Sequence, residues 1–245
     1  MLTRVPNRKG TRYLPGAGFL FFSTLVKSYQ PGLKYTCAWR TTFARHNPLT
    51  VNGRHMPSLP QDLIDQFVGN AHGNLAVVQA LLSQHPSLLN ADASWHEHAI
   101  EAAAQTAQVE IIELLLAAGA PLDICTAAVM GMQDNVEAFL RADPSAVHAR
   151  GAHGIPLMYF PVIRGQIDIA DLLLQRGADL NAASPGGITP LHGAVMFNQP
   201  GMAALLLDHA AYPNLRYDGK TPLAIAKEKG FFGLAELLTA HGGVE

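Results

Sequence analysis

A chain of 245 residues with 49% hydrophobic content has ample material for a buried core, as one large domain or two ordinary ones. The net charge of −2 conceals a division: residues 1–61 hold nine Lys/Arg and no acid, whereas residues 62–245 set eight Lys/Arg against nineteen Asp/Glu, a balance of −11. No run approaches the roughly 18 apolar residues of a membrane-spanning helix, and two cysteines, Cys37 and Cys125, without CxxC spacing indicate neither a disulfide framework nor a zinc ribbon.

The N-terminal segment admits three readings. Arg4, Arg8, Lys9 and Arg12 followed by the apolar run Gly16 to Val26 mimic a secretory signal, although no A-x-A cleavage site follows. The same acid-free, Arg- and Ser/Thr-rich character suits an organelle transit peptide. In the third reading, residues 1–55 are upstream sequence or a disordered extension, and Met56 starts the folded part six residues before Asp62, where acids and helical periodicity begin. The boundary expected on this basis separates a basic, poorly ordered 1–58 from a folded 59–245.

From Asp62 onward the chain repeats itself. The segment LLLQRGADLNA at Leu172 recurs as LLLDHAAYPNL at Leu205 and as LLTAHGG at Leu237, 33 and then 32 residues on. An offset of 58 superimposes Leu114 on Leu172, and Gly73 to Ala91 on Gly131 to Ala149. Six units result, with apolar triplets near Leu81, Leu114, Phe139, Leu172, Leu205 and Leu237. Each unit reads as two short helices. Pro190 and Pro222 suit a first helical position, with Thr189 and Thr221 as caps, and Gly119, Gly177 and Gly242 close the second helices. Ile167, Ile169, Ala170 and Leu172 to Leu174 make an apolar surface wider than one stripe, so neighbouring units must cover it.

At Thr189-Pro190-Leu191-His192 with Ala194, at Leu172 to Asp179, and at Thr221-Pro222-Leu223, the sequence resembles the ankyrin-repeat family, whose period of about 33 residues pairs TPLHxAA with LLLxxGAD. The resemblance covers about Asp62 to Gly243 and implies an all-α solenoid of six helix-turn-helix units with short hairpin fingers. The fourth unit keeps Pro156-Leu157, placing Met158 at the His position and one extra residue before Leu172. Between the second and third triplets about nine residues are missing, close to one finger, which predicts a notch with Asp123 as cap, Ile124 in the core and Cys125, a small buried hydrophobe, in place of the His.

Motifs for chemistry are scarce. The cluster Trp95-His96-Glu97-His98 running to Glu101 tempts a metal or enzymatic reading, but His96 and His98 diverge by about 200° on a helix, and HExxH would need His where Ile100 stands. His98 and Glu101 fall at capping positions. His192 takes the structural His of the repeat, and His72, His85, His148, His153, His209 and His241 lie near helix ends and turns. No Walker, Rossmann or nucleophile-elbow motif appears, so no catalytic residue, metal or cofactor is assigned.

What remains is recognition. The resemblance implies a concave surface of finger tips (91–96, 150–154, 181–187, 214–219) and inner helices, with Met158, Tyr159, Met196 and Phe197 exposed. Aromatic and Arg side chains dominate interface energetics, which selects Trp95, Arg150, Tyr159, Arg216 and Tyr217 as partner-contact candidates. The expectation is a noncatalytic module that binds another protein, as a cytoplasmic monomer, with no nucleic acid on its acidic repeats and no membrane. The alternatives are an exported ankyrin effector and a metal protein built on Trp95 to Glu101.

Overall fold

The structure, a computed structural model, describes residues 59–245 and, N-terminal to them, the backbone of a two-residue antiparallel pair, Thr50–Val51 with Arg54–His55. Apart from that pair, the expectations for residues 1–58, including the signal-like run and the start at Met56, lie outside the described residues.

Twelve α-helices among the described residues form six pairs: α1 (Gln61–Asn70) with α2 (Leu75–Gln84), α3 (Ala99–Gln105) with α4 (Val109–Ala117), α5 (Ile124–Val129) with α6 (Gln133–Ala142), α7 (Tyr159–Ile163) with α8 (Ile167–Gln175), α9 (Pro190–Met196) with α10 (Pro200–Asp208), and α11 (Pro222–Glu228) with α12 (Phe232–Ala240). This is the all-α repeat stack that the period implies. The odd-numbered helices, each of seven residues or fewer except the ten-residue α1, pack each on the next along the stack, and α2 on α4, α6 on α8 and α10 on α12 form the second layer.

The core lies between the two layers. In each apolar triplet the central residue carries the burial: Leu115, Leu173, Leu206 and Leu238 are fully buried, whereas Leu114, Leu172, Leu205 and Leu237 are half-exposed. Each such leucine contributes about 1.5–3 kcal/mol. Against them stand small inner residues (Ala103, Ala127, Ala194, Ala226), which let the layers approach. Tight turns within the pairs depend on glycine. Gly165 has φ +67°, and a Cβ there would sit 2.9 Å from the Gln199 side chain of the next unit, which itself donates to the Ile163 carbonyl at 3.2 Å.

The notch is present. Between successive pairs the chain uses 13 to 16 residues elsewhere, but only residues 118–123 separate α4 from α5. Asp123 caps α5 as expected, accepting from Thr126 N–H at 2.8 Å and from its hydroxyl at 2.7 Å. The reciprocal partner of the cap is therefore Thr126 and not Cys125; Cys125 is buried one residue earlier, its Sγ near Gly151.

The fourth unit departs from expectation by one residue. Its inner helix starts at Tyr159, and Gln166 N–H donates to the Pro161 carbonyl as Gln199 N–H does to that of Ala194. Tyr159 thus occupies the His192 position and Met158 the buried-leucine position. Both were expected to be exposed, and both are buried, while Met196 and Phe197 are half-buried.

Candidate partner-binding surface

Three fingers close through backbone pairing: Ala93 N–H donates to Glu97, Gly151 to Ile155 and Ser184 to Ile188, each at 2.9–3.0 Å, and Tyr217 exchanges bonds with Lys220 in a fourth. Turning so sharply puts His96, His153 and Asp218 at positive φ, a region that His and Asp tolerate better than most residues.

The candidates fare differently on this frame. Arg150 and Arg216 are exposed, and each guanidinium closes its own finger, Arg150 on the Gly154 carbonyl at 2.7 Å and Arg216 on that of Gly219 at 2.6 Å. Arg150 also reaches the Ala183 carbonyl of the next finger at 2.8 Å, and Arg216 that of Glu245 at 3.2 Å. Asn181 and Asn214 add parallel ties, accepting from Tyr212 and Val244 N–H at 2.7 and 2.8 Å. Trp95 stands 41% exposed. Tyr159 does not: its ring lies against Gly193, where a Cβ would meet it at 2.7 Å, and burial pushes its hydroxyl pKa up. It leaves the contact set because the register turns it into the stack. Tyr217 is half-buried, its ring edge-on to His192 at 6.0 Å.

Thr189, Pro190, Leu191 and His192 are buried at the start of α9. Thr189 N–H and hydroxyl both point at His192 Nδ1, at 3.3 and 2.8 Å, and His192 N–H returns to the Thr189 hydroxyl. Nδ1 is therefore the acceptor and the ring proton sits on Nε2. Nε2 is buried without a partner at full hydrogen-bond geometry. Burial pulls the His192 pKa down to about 4, against an opposing pull from the Lys220 and Leu215 backbone. Thr221 caps α11 without a reciprocal partner, its hydroxyl accepting from Ala224 N–H at 3.2 Å, with Pro222 and Leu223 buried behind it.

The Trp95 to Glu101 cluster is divided among separate tasks. His96 faces Asp92 at 3.2 Å on the finger, while His98 faces Glu101 at 3.0 Å in a capping box for α3. The hydrogen bond to Glu101 raises the His98 pKa. His96 and His98 are thus paired with different acids, and among the described residues no three His, Cys, Asp or Glu side chains gather in a group that could hold a metal ion. The residue that sequence reasoning passed over is Glu97. Fully buried, its carboxyl group accepts from Trp95 Nε1 and Gln105 Nε2, both at 2.6 Å, with His153 Nε2 at 3.5 Å and His72 Nε2 at 3.7 Å. Its place in the polar run Trp95-His96-Glu97-His98 was the one available signal.

A capped helix-pair stack with ties between successive fingers defines a repeat protein of the ankyrin type, and comparison with known proteins agrees. The family model described as ankyrin repeats (3 copies) matches residues 124–217 and 157–245. Cyclin-dependent kinase 4 inhibitor B of Rattus norvegicus is 32% identical over 135 residues, 53% of this chain and 99% of that protein. The chain belongs to the ankyrin-repeat family. Nuclear factor NF-kappa-B p105 subunit of Gallus gallus is 29% identical over 210 residues, 77% of this chain, and a putative ankyrin repeat protein, YahD of Escherichia coli (strain K12), is 39% identical over 87 residues. The chain spans 21% of the p105 subunit and 43% of YahD.

Proposed function

We propose that this chain is a noncatalytic protein-interaction module that engages its partner along the finger row and the adjoining inner-helix surface. One observation carries the reading: the finger row presents a half-exposed indole, Trp95, and exposed Arg216 next to half-buried Tyr217, while the Glu97 and Asp123 carboxylates and His192 Nδ1 are engaged in hydrogen bonds within the fold. Exposed aromatic and Arg side chains on rigid supports are the residues that carry interface energy. The names of relatives such as a kinase inhibitor and a transcription-factor subunit support binding, rather than catalysis, as the activity.

The test is affinity capture with the full chain, followed by direct titration of the purified partner. Trp95→Ala and Arg216→Ala are expected to weaken binding at least about tenfold each, whereas Phe232→Ser, on the exposed surface of α12, leaves it unchanged. Binding lost with Phe232→Ser and retained in both finger variants rules the reading out. The cytoplasmic, monomeric state belongs to the same proposal. Sequencing the N-terminus of mature protein separates it from export, because cleavage after the Gly16 to Val26 run would favour a secreted protein.

A further inference from the structure

We infer that Glu97 is a positioning residue for Trp95, and that His153 completes the arrangement by reaching across the gap left by the missing finger. The inference rests on the proposed finger-row recognition, since it concerns how one contact residue is presented. A carboxyl group removed from water is costly unless donors surround it. Glu97 is 0% exposed; its carboxylate accepts from Trp95 Nε1 on the same finger and Gln105 Nε2 at the end of α3, and His153 Nε2 on the finger two units on stands 3.5 Å from it.

The network is consistent in its protons. Gln105 Nε2 lies 2.8 Å from His72 Nε2, and His72 Nδ1 lies 3.2 Å from the Gly69 carbonyl. With the His72 proton on Nδ1, the Gln105 amide supplies one hydrogen to His72 and the other to Glu97. The α1–α2 turn, the first finger and α3 are thereby joined through the Gln105 amide and the Glu97 carboxyl group.

Trp95 is what this arrangement leaves facing outward. The indole N–H is fixed by Glu97, and the ring carbon Cη2 comes within 4.0 Å of the position a Gly69 Cβ would take, yet 41% of the residue stays exposed. An aromatic anchor held in one rotamer before its partner arrives loses less conformational freedom on binding than a free one. Elsewhere successive fingers are tied by Arg150 or Asn181 to backbone groups about 30 residues on. Between α4 and α5 there is no finger to tie, and the His153–Glu97 contact spans the interval instead.

In a Trp39→Phe background Trp95 is the sole tryptophan of the full chain, so its indole N–H gives one resonance. Glu97→Gln offers one acceptor oxygen where two donors converge. The indole proton is expected to exchange with solvent at least about tenfold faster, and the tryptophan emission anisotropy to fall, with helical circular dichroism retained. His153→Ala, at a side chain 52% exposed, retains the fold and is expected to shift the indole resonance and speed its exchange by about twofold. An exchange rate in Glu97→Gln equal to that of the parent overturns the positioning role. Should that variant fail to fold, His153→Ala decides, and an unshifted indole resonance overturns the inference. These readouts use the free protein. A loosened indole with partner affinity intact sinks the finger-row reading, and lost affinity with an unmoved indole sinks the positioning role.

Discussion

His192 makes the stack sensitive to acid in a calculable way. Its imidazole is fully buried, and burial places its pKa at about 4 against an ordinary value of 6.5. Protonation in the folded state would put a hydrogen on Nδ1, where the Thr189 N–H and hydroxyl already point. The unfolded chain therefore takes up a proton first as pH falls. Stability from this group is complete above pH 6.5 and is lost as pH falls toward 4, amounting to about 2.5 kcal/mol between pH 7.5 and 4.5. His98 works in the opposite sense, because Glu101 raises its pKa: its contribution is full below 6.5 and disappears as pH rises through the raised value. Comparison with His192→Gln isolates the first effect. Urea titrations of both proteins at pH 7.5, 6.0 and 4.5, followed by circular dichroism, are expected to show the parent's advantage over the variant shrinking by about 2.5 kcal/mol. Parallel losses in the two proteins, or a His192 Cε1–H resonance titrating near pH 6.5, would refute the reasoning.

Other perturbations follow from packing. Gly193→Ala drives a methyl to 2.7–3.0 Å from the Tyr159 ring and Ile163 Cγ2, and should cost about 1–3 kcal/mol in urea denaturation, most of it recovered in a Gly193→Ala/Tyr159→Leu double variant. Asp123→Ala removes the acceptor for both Thr126 donors and is expected to cost about 1 kcal/mol, with Asp123→Asn retaining most of that stability by the same assay. Leu173→Ala empties a fully buried site between units and should cost about 2–5 kcal/mol; because each unit leans on its neighbours, hydrogen exchange should speed up in α7 to α10 before α1 and α2.

How much of this could be seen in the sequence depended on the range of the interaction. The six triplets were legible because a helix that needs cover on several sides must repeat leucine within one turn, and Leu115, Leu173, Leu206 and Leu238 fill the core as that demands. Thr189-Pro190 and Thr221-Pro222 were legible because capping is local, three residues at most. The fourth unit misled because Pro156-Leu157 copies Pro190-Leu191 while the helix starts only at Tyr159; that one-residue slip moved Tyr159 from an expected surface site into the stack. Cys125 misled for a related reason, since Thr126 could already return a hydroxyl to the cap. Of the interface candidates, the exposure of Trp95 and Arg216 followed from register. The finger closures by Arg150 and Arg216 did not, because their acceptors are backbone carbonyls, which carry no residue signature. Glu97 was least legible, its histidine neighbours standing 25 residues before and 56 after it.

The missing finger also explains why a costly buried acid sits where it does. Along the intact part of the row, each finger is tied to the next by a side chain meeting a backbone group in register: Arg150 to Ala183, Asn181 to Tyr212, Asn214 to Val244. Such ties expose no charge to an apolar interior and depend on a finger following about 33 residues later. After the first finger none follows, for α5 begins seven residues past the end of α4. The inner helices nevertheless keep their stacking, α3 on α5 and α5 on α7, because the deletion removes only loop and leaves Ala103, Ala127 and Val129 in the core. The first finger then meets the one on the far side of the notch, where its neighbour presents a side chain, His153. A side-chain acceptor with two oxygens can face that imidazole while also holding Trp95 and Gln105, which an Arg or Asn tie aimed at one backbone group could not do. Glu97 is thus the local solution to a break in register, and its burial is the energetic cost of joining two fingers that the other units would have kept apart.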